Sequence, residues 1–257
     1  MKNCCAVAFF LLTSSTLPAQ SLFNGTWEMK MDTLQFSGPP EAYLIDKGVY
    51  HCETCVPKVD VETDGMDHKV TGHPYDTIAV RILDNYSLKF TMKKDGKTTF
   101  ECIETVSSDD RSMTEEFTNT AESETVTGKA GFTRLAQGPP GSHALSGKWN
   151  MQTVRNTTSA GTLTTYQSIA NGMKISDGSV SYEVKFDGKD YPADGDAHST
   201  VRLKLIDDCT IEETDKQDGK VTTVARMTVS KDGKSMRVES SDKRRSSKMT
   251  YTAEKRP

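Results

Sequence analysis

The sequence predicts an all-β protein made of two tandem up-and-down antiparallel β-barrels of about eight strands each. Three observations predict it. The first is an internal duplication. Asp64-Gly65-Met66-Asp67 returns as Asp187-Gly188-Lys189-Asp190, Asp84 as Asp207, and Lys93-x-Asp95-Gly96-Lys97 as Lys216-x-Asp218-Gly219-Lys220, each offset by 123 positions. A period this long marks two copies of one domain rather than a solenoid of short repeats. The second is alternation with period two. Val180, Tyr182, Val184 and Phe186 share one face while Ser181, Glu183 and Lys185 share the other, and copy one does the same with Ile78, Val80 and Ile82 and then Leu88, Phe90 and Met92. That pattern is a half-buried strand. The third is punctuation by Asp-Gly at 64, 95, 177, 187, 218 and 232, a hairpin signal because Gly reaches positive φ at no steric cost and Asp tolerates it.

The elements follow in order. Residues 1–19 read as a secretory signal peptide. Lys2 gives a positive start, Cys4 to Leu12 an apolar run, and Thr13 to Gln20 a small, polar cleavage region. That run is too short to span a bilayer, and no other stretch approaches the ~20 apolar residues a spanning helix needs. The expected location is secreted or periplasmic, with no transmembrane segment. Domain 1 is expected over 22–135, a Pro/Gly linker over 136–144, and domain 2 over 145–257. In copy two the strands are expected near 147–154, 162–170, 179–186, 199–206, 209–216, 220–229, 234–241 and 247–254. Eight strands with one apolar face close naturally into a barrel, which removes both sheet edges. A sandwich is the other arrangement this pattern allows.

The formal net charge of −4 hides an asymmetry: residues 20–144 carry a net −8 and residues 145–257 a net +3. The acidic first half argues against nucleic acid as a partner. The cluster Lys243-Arg244-Arg245-x-x-Lys248 reads as solvated edge residues that block sheet aggregation.

Gly25-x-Trp27 and Gly147-x-Trp149 each open a copy. They resemble the Gly-x-Trp signature on the first strand of the calycin superfamily (lipocalins, fatty-acid-binding proteins and avidins). The resemblance implies that Gly25, Trp27, Gly147 and Trp149 are structural, the Trp closing a barrel floor. It also implies a barrel that holds a small ligand. The run Phe186 to Pro192, the strand Thr200 to Lys204 and the turn Lys231-Asp232-Gly233-Lys234 resemble an uncharacterised group of exported bacterial proteins. That likeness implies an envelope or secreted protein but no activity.

Cys52-Glu53-Thr54-Cys55 is the most pointed local motif. A redox dithiol would need a strand leading into a helix, which is missing here. In an exported chain the motif reads as a disulfide within copy one, joining Cys52 or Cys55 to each other or to Cys102, with a metal site that includes His51 as a minor alternative. Cys209 is expected to be a half-buried free thiol. The paired acids Asp64/Asp67 and Asp187/Asp190 read as turn caps, with a carboxylate cluster at a barrel mouth as the alternative. His68, His73 and Asp76 read as a polar loop, and no metal or cofactor is expected.

The function expected from these residues is non-enzymatic carriage of a small apolar or amphipathic molecule in a barrel, lined in copy two by Tyr182, Val184, Phe186, Leu203, Leu205, Met227, Met236 and Tyr251. The alternative is an envelope or surface module with filled barrels that binds protein or glycan through its loops. Interior volume discriminates between them.

Overall fold

The computed structural model describes residues 22–121, 124–156, 158, 161–177, 180–193 and 196–257. The expected signal peptide, 1–19, lies outside the described residues. Two short strands come first, β1 (Gly25–Met29) and β2 (Gln35–Ser37). Ten follow: β3 (Glu41–Asp46), β4 (Val49–Cys52), β5 (Val59–Glu62), β6 (His68–Lys69), β7 (Thr77–Asp84), β8 (Ser87–Lys94), β9 (Lys97–Val106), β10 (Ser112–Asn119), β11 (Val126–Gln137) and β12 (Gly147–Asn156). The remaining nine are β13 (Leu163–Ile169), β14 (Gly172–Asp177), β15 (Val180–Lys185), β16 (Tyr191–Ala193), β17 (Asp196–Asp207), β18 (Thr210–Gln217), β19 (Lys220–Val229), β20 (Ser235–Asp242) and β21 (Ser247–Lys255). A three-residue 3-10 turn, Met31–Thr33, follows β1, and Leu22 and Phe23 before that strand are helical. No helix among the described residues is long and apolar enough to cross a membrane.

The strands form two nearly closed antiparallel barrels of ten strands each, in the orders β5-β4-β3-β12-β11-β10-β9-β8-β7-β6 and β15-β14-β13-β1-β21-β20-β19-β18-β17-β16. The eight strands expected in copy two are all present. The two not expected are β14 and the very short β16.

The turns obey the sequence. Asp95 and Gly96 have φ of 50° and 74°, and Asp218 and Gly219 of 49° and 75°, as a two-residue type I′ hairpin requires. The paired acids pin the short strands. Asp64 accepts the Met66 amide at 2.8 Å and Asp187 the Lys189 amide at 3.1 Å, while Lys93 reaches Asp67 and Lys216 reaches Asp190, both at 2.7 Å.

The domain boundaries need correction. The strand carrying Gly147-x-Trp149 does not open the second barrel; it closes the first. β12 pairs with β11 on one side and with β3 on the other, matching Gly147 with Tyr43 and Trp149 with Glu41. Barrel 1 is therefore the contiguous segment 41–156. The strand carrying Gly25-x-Trp27 belongs to barrel 2, where β1 lies between β13 and β21. Barrel 2 is discontinuous, drawing β1 from one end of the chain and β13–β21 from the other. The Pro/Gly stretch 136–144 is no linker. Ala136 and Gln137 end β11, and the rest lies in the β11–β12 connection, tied by Gly138 N–H to Ser146 O at 3.0 Å and Ser142 N–H to Pro139 O at 3.1 Å. The physical reason is local: a short loop brings β12 beside β11 at small entropic cost, and the two Gly-x-Trp strands carry the same apolar face.

Each Trp seals the barrel it joins in the same way. Trp149 is fully buried, donates its indole N–H to Leu145 O at 2.9 Å, and lies under the Arg134 guanidinium, 4.0 Å from the ring centroid. Arg134 also donates to Ser146 O, Ala144 O and Asp110 Oδ1 at 2.9, 2.6 and 3.1 Å. Trp27 donates to Phe23 O at 2.7 Å beneath Lys255, whose Nζ lies 4.8 Å from the ring and bonds Leu22 O at 3.0 Å. A cation over a buried Trp contributes about 0.5–2 kcal/mol. Gly147 has φ of 136°, and a Cβ there would sit 2.2 Å from Ala136 O, so any side chain would force the closing strand off its neighbour.

A fragment of residues 41–156 is expected to fold alone with a buried Trp149, and a fragment of 145–257 to stay unfolded because it lacks β1. Amide NMR dispersion and tryptophan emission of the two fragments check this. Folding of 145–257 alone would contradict the strand assignment.

Candidate functional site

A cavity of about 860 Å³ runs from the interior of barrel 1 out to a mouth shared with residues 36–39 and 242–248. Its walls come from eight strands of barrel 1, with Val59 of β5 and Ile78 of β7 among them. β3 and β4 supply Tyr43 and Tyr50, β8 supplies Phe90 and Met92, β9 supplies Phe100, Cys102 and Glu104, β10 supplies Glu115, and β12 supplies Trp149 and Met151. Tyr50 meets Phe90 edge-on at 5.2 Å between centroids and Tyr43 at 5.8 Å. The mouth is framed by residues 36–39, the Cys52–Cys55 loop, the 72–75 loop and the Asp242–Lys248 hairpin of barrel 2.

Cys52 and Cys55 form the disulfide, with S–S 2.08 Å, and Cys102 is a buried free thiol. The loop between the two bonded cysteines is held to β3 by Glu53 N–H to Ala42 O at 3.0 Å and by Ala42 N–H to Thr54 Oγ1 at 3.1 Å. Of the pairings open in the sequence, the local one is formed, and it serves as a rim strap. Cys209 is a partly exposed free thiol.

The chemically distinctive feature is a group of acids inside the barrel. Glu104 and Glu115 face each other across the β9–β10 ladder. With the Cys102 thiol they bring ligand-type atoms within 4.8 Å of one another. Glu104 is 4% exposed, and its Oε2 has no hydrogen-bond partner. Glu41 adds a third carboxylate and accepts the Tyr43 hydroxyl hydrogen bond. Burial, then the charges of Glu115 and Glu41, push the Glu104 carboxyl well above the ordinary range. Burial and the Glu41 charge push Glu115 up to about 7, against a hydrogen bond with Cys102 that lowers it. Burial and the Glu104 charge raise the Cys102 thiol as well. A buried carboxyl without a partner is held at a cost in stability.

The second copy does not repeat this chemistry. At the offset of 123, Glu104 corresponds to Met227, Glu115 to Val238 and Cys102 to Ala225, while Phe90 corresponds to Glu213 and Met92 to Asp215. In barrel 2 the Tyr182 hydroxyl donates to Glu213 Oε2 at 3.0 Å. Burial and the neighbouring Asp215 charge raise Glu213, and burial raises Asp215. The same scaffold thus carries its interior acids on different strands in the two copies.

The residues expected to line copy two face the interior of barrel 2. Val184, Leu203, Met227 and Met236 are buried in its core, and Tyr182, Phe186, Leu205 and Tyr251 pack against that core partly exposed. The cavity described above is in the other barrel. The sequence reading missed Glu41, Glu104 and Glu115. Glu104 lies in phase with Phe100, Cys102 and Val106 on the apolar face of its strand, which is the signal that could have found it. His68 bonds Asp64 at 2.9 Å and His73 stacks on Tyr75 at 5.0 Å, so the histidines serve the loops.

No family model, curated protein or solved structure matches this chain.

Two outcomes are expected. Glu104→Met, which installs the residue of copy two, should stabilise the protein by about 1–3 kcal/mol at pH 8, because it removes an unpaired buried carboxyl; urea denaturation measures it. The folded pKa of Glu115 lies above its ordinary 4.5. Its contribution to stability is therefore fully present below pH 4.5 and is lost as pH rises through about 7. The urea midpoint should fall over that window, and Glu115→Gln should flatten the fall.

Proposed function

We propose that this chain is a non-enzymatic, exported binding protein, and that barrel 1 carries one small amphipathic molecule. The observation that carries this reading is the cavity of about 860 Å³ with aromatic and thioether walls and a polar group deep inside. Ligand sites typically measure about 300–1,000 Å³ and combine an apolar lining with a few placed polar groups. The apolar body of the ligand lies against Tyr43, Tyr50, Phe90, Met92 and Phe100, and its polar end meets Glu104 and Glu115. A barrel filled by its own side chains, as a loop-binding surface module would have, leaves no such volume, so the cavity favours carriage over that alternative. The calycin-like Gly-x-Trp strands and the leader-like residues 1–19 are in keeping with an exported carrier.

Titration with the neutral fluorophore N-phenyl-1-naphthylamine tests the reading. One equivalent should bind with enhanced emission, and Met92→Trp, which fills the wall beside Phe90, should weaken binding at least tenfold without unfolding the protein. Absence of binding, or binding indifferent to Met92→Trp, would contradict carriage in barrel 1.

A further inference from the structure

Given carriage in barrel 1, on which this step rests, we infer that the polar end of its ligand is an amine, held inside as an ammonium by the carboxylates of Glu104 and Glu115. Two independent features point there. The first is Glu104, a 4%-exposed residue of the cavity lining whose Oε2 has no hydrogen-bond partner. Glu115 lies across the ladder and Glu41 near by, and all three are acids. Three carboxyl groups sharing one enclosure favour a guest that supplies positive charge. An ammonium offers three donors to oxygens that otherwise have too few.

The second feature is the aromatic wall. Tyr43, Tyr50 and Phe90 form a contiguous cluster beside the acids, and ring faces attract an alkylammonium. A bare divalent ion could use the Cys102 thiol with the two glutamates. It would leave nearly all of the 860 Å³ without an occupant and make no use of the aromatic wall.

The mouth is basic, with Arg245 and Lys248 beside the paired Arg244 and Lys58. This does not bar an amine. The ligand passes the rim as the free base, its nitrogen takes the proton from the Glu104 carboxyl, and the ion pair forms inside. Starting from the alkylammonium in water, the net change is release of one proton to solvent.

The test is displacement of N-phenyl-1-naphthylamine from the full chain at pH 8 by decylamine, decanol and decanoate. Decylamine should bind at least tenfold more tightly than decanol. Glu104→Gln should erase that advantage, and Glu115→Gln should reduce it. Amide NMR dispersion like that of the unaltered chain shows that the variants are folded. Decanoate binding as well as decylamine, or an amine preference that survives Glu104→Gln, overturns the inference and leaves the carrier reading intact. Failure of the fluorophore and all three chains to bind overturns both. Stoichiometric binding of zinc chloride that is lost in Cys102→Ser, with no amine preference, assigns the cluster to a metal ion and overturns the inference.

Discussion

Both barrels depend on the backbone pairing that closes them. A sheet left open at β3 or β21 would present a row of unpaired amide and carbonyl groups to solvent or to another chain. The chain satisfies these edges with the two Gly-x-Trp strands. β12 covers β3, and β1 covers β21 and β13. The rest of the architecture follows. Barrel 1 is complete within one uninterrupted stretch, whereas barrel 2 needs a strand from before that stretch and nine from after it. The Trp–cation seals sit at these closing strands, where Arg134 and Lys255 tie the ring to the carbonyls of the segment that precedes it.

On this common frame the two interiors have diverged. The Asp64-Gly65 and Asp187-Gly188 turns, the Asp95-Gly96 and Asp218-Gly219 turns and the Asp67–Lys93 and Asp190–Lys216 bridges are retained at a constant offset, because they set hairpin geometry and pin β6 and β16. Interior positions have traded polarity instead. Where one copy has Glu104 and Glu115 the other has Met227 and Val238, and where one has Phe90 and Met92 the other has Glu213 and Asp215. In barrel 2 Glu213 has Tyr182 as a donor, which reduces the cost of its burial. In barrel 1 Glu104 Oε2 has none. A fold needs apolar surface facing inward but does not dictate which strand carries an exception, so the exceptions are where the copies can acquire separate roles.

Much of this was legible in the sequence. Alternation and turn residues locate eight of the ten strands of copy two, and the duplication announces two barrels. β14 was missed although Met173 and Ile175 alternate behind an Asn171-Gly172 turn. Its Gly and polar flanks masked a short strand. The three-residue β16 carries too little pattern to read. Strand ownership was not legible at all: Trp27 and Trp149 each follow a Gly-x in sequence, and only the pairing of β12 with β3 and of β1 with β13 and β21 shows which barrel each completes. The candidate site was half visible. Glu104 breaks an apolar face, but nothing local says that Glu41 and Glu115 meet it, because that depends on which strands face each other across the barrel.

The placement of β1 has a kinetic consequence. A ribosome makes β1 before all of barrel 1, its neighbour β13 only after barrel 1 and its other neighbour β21 last, so that strand has no partner until barrel 1 has been made. Barrel 1 can assemble as soon as β12 emerges. Barrel 2 must wait for the final residues and then recruit a segment released long before, a contact of very high sequence separation and hence slow to form. The chain therefore matures in a fixed order, with its cavity-bearing barrel finished while the other is still an open sheet.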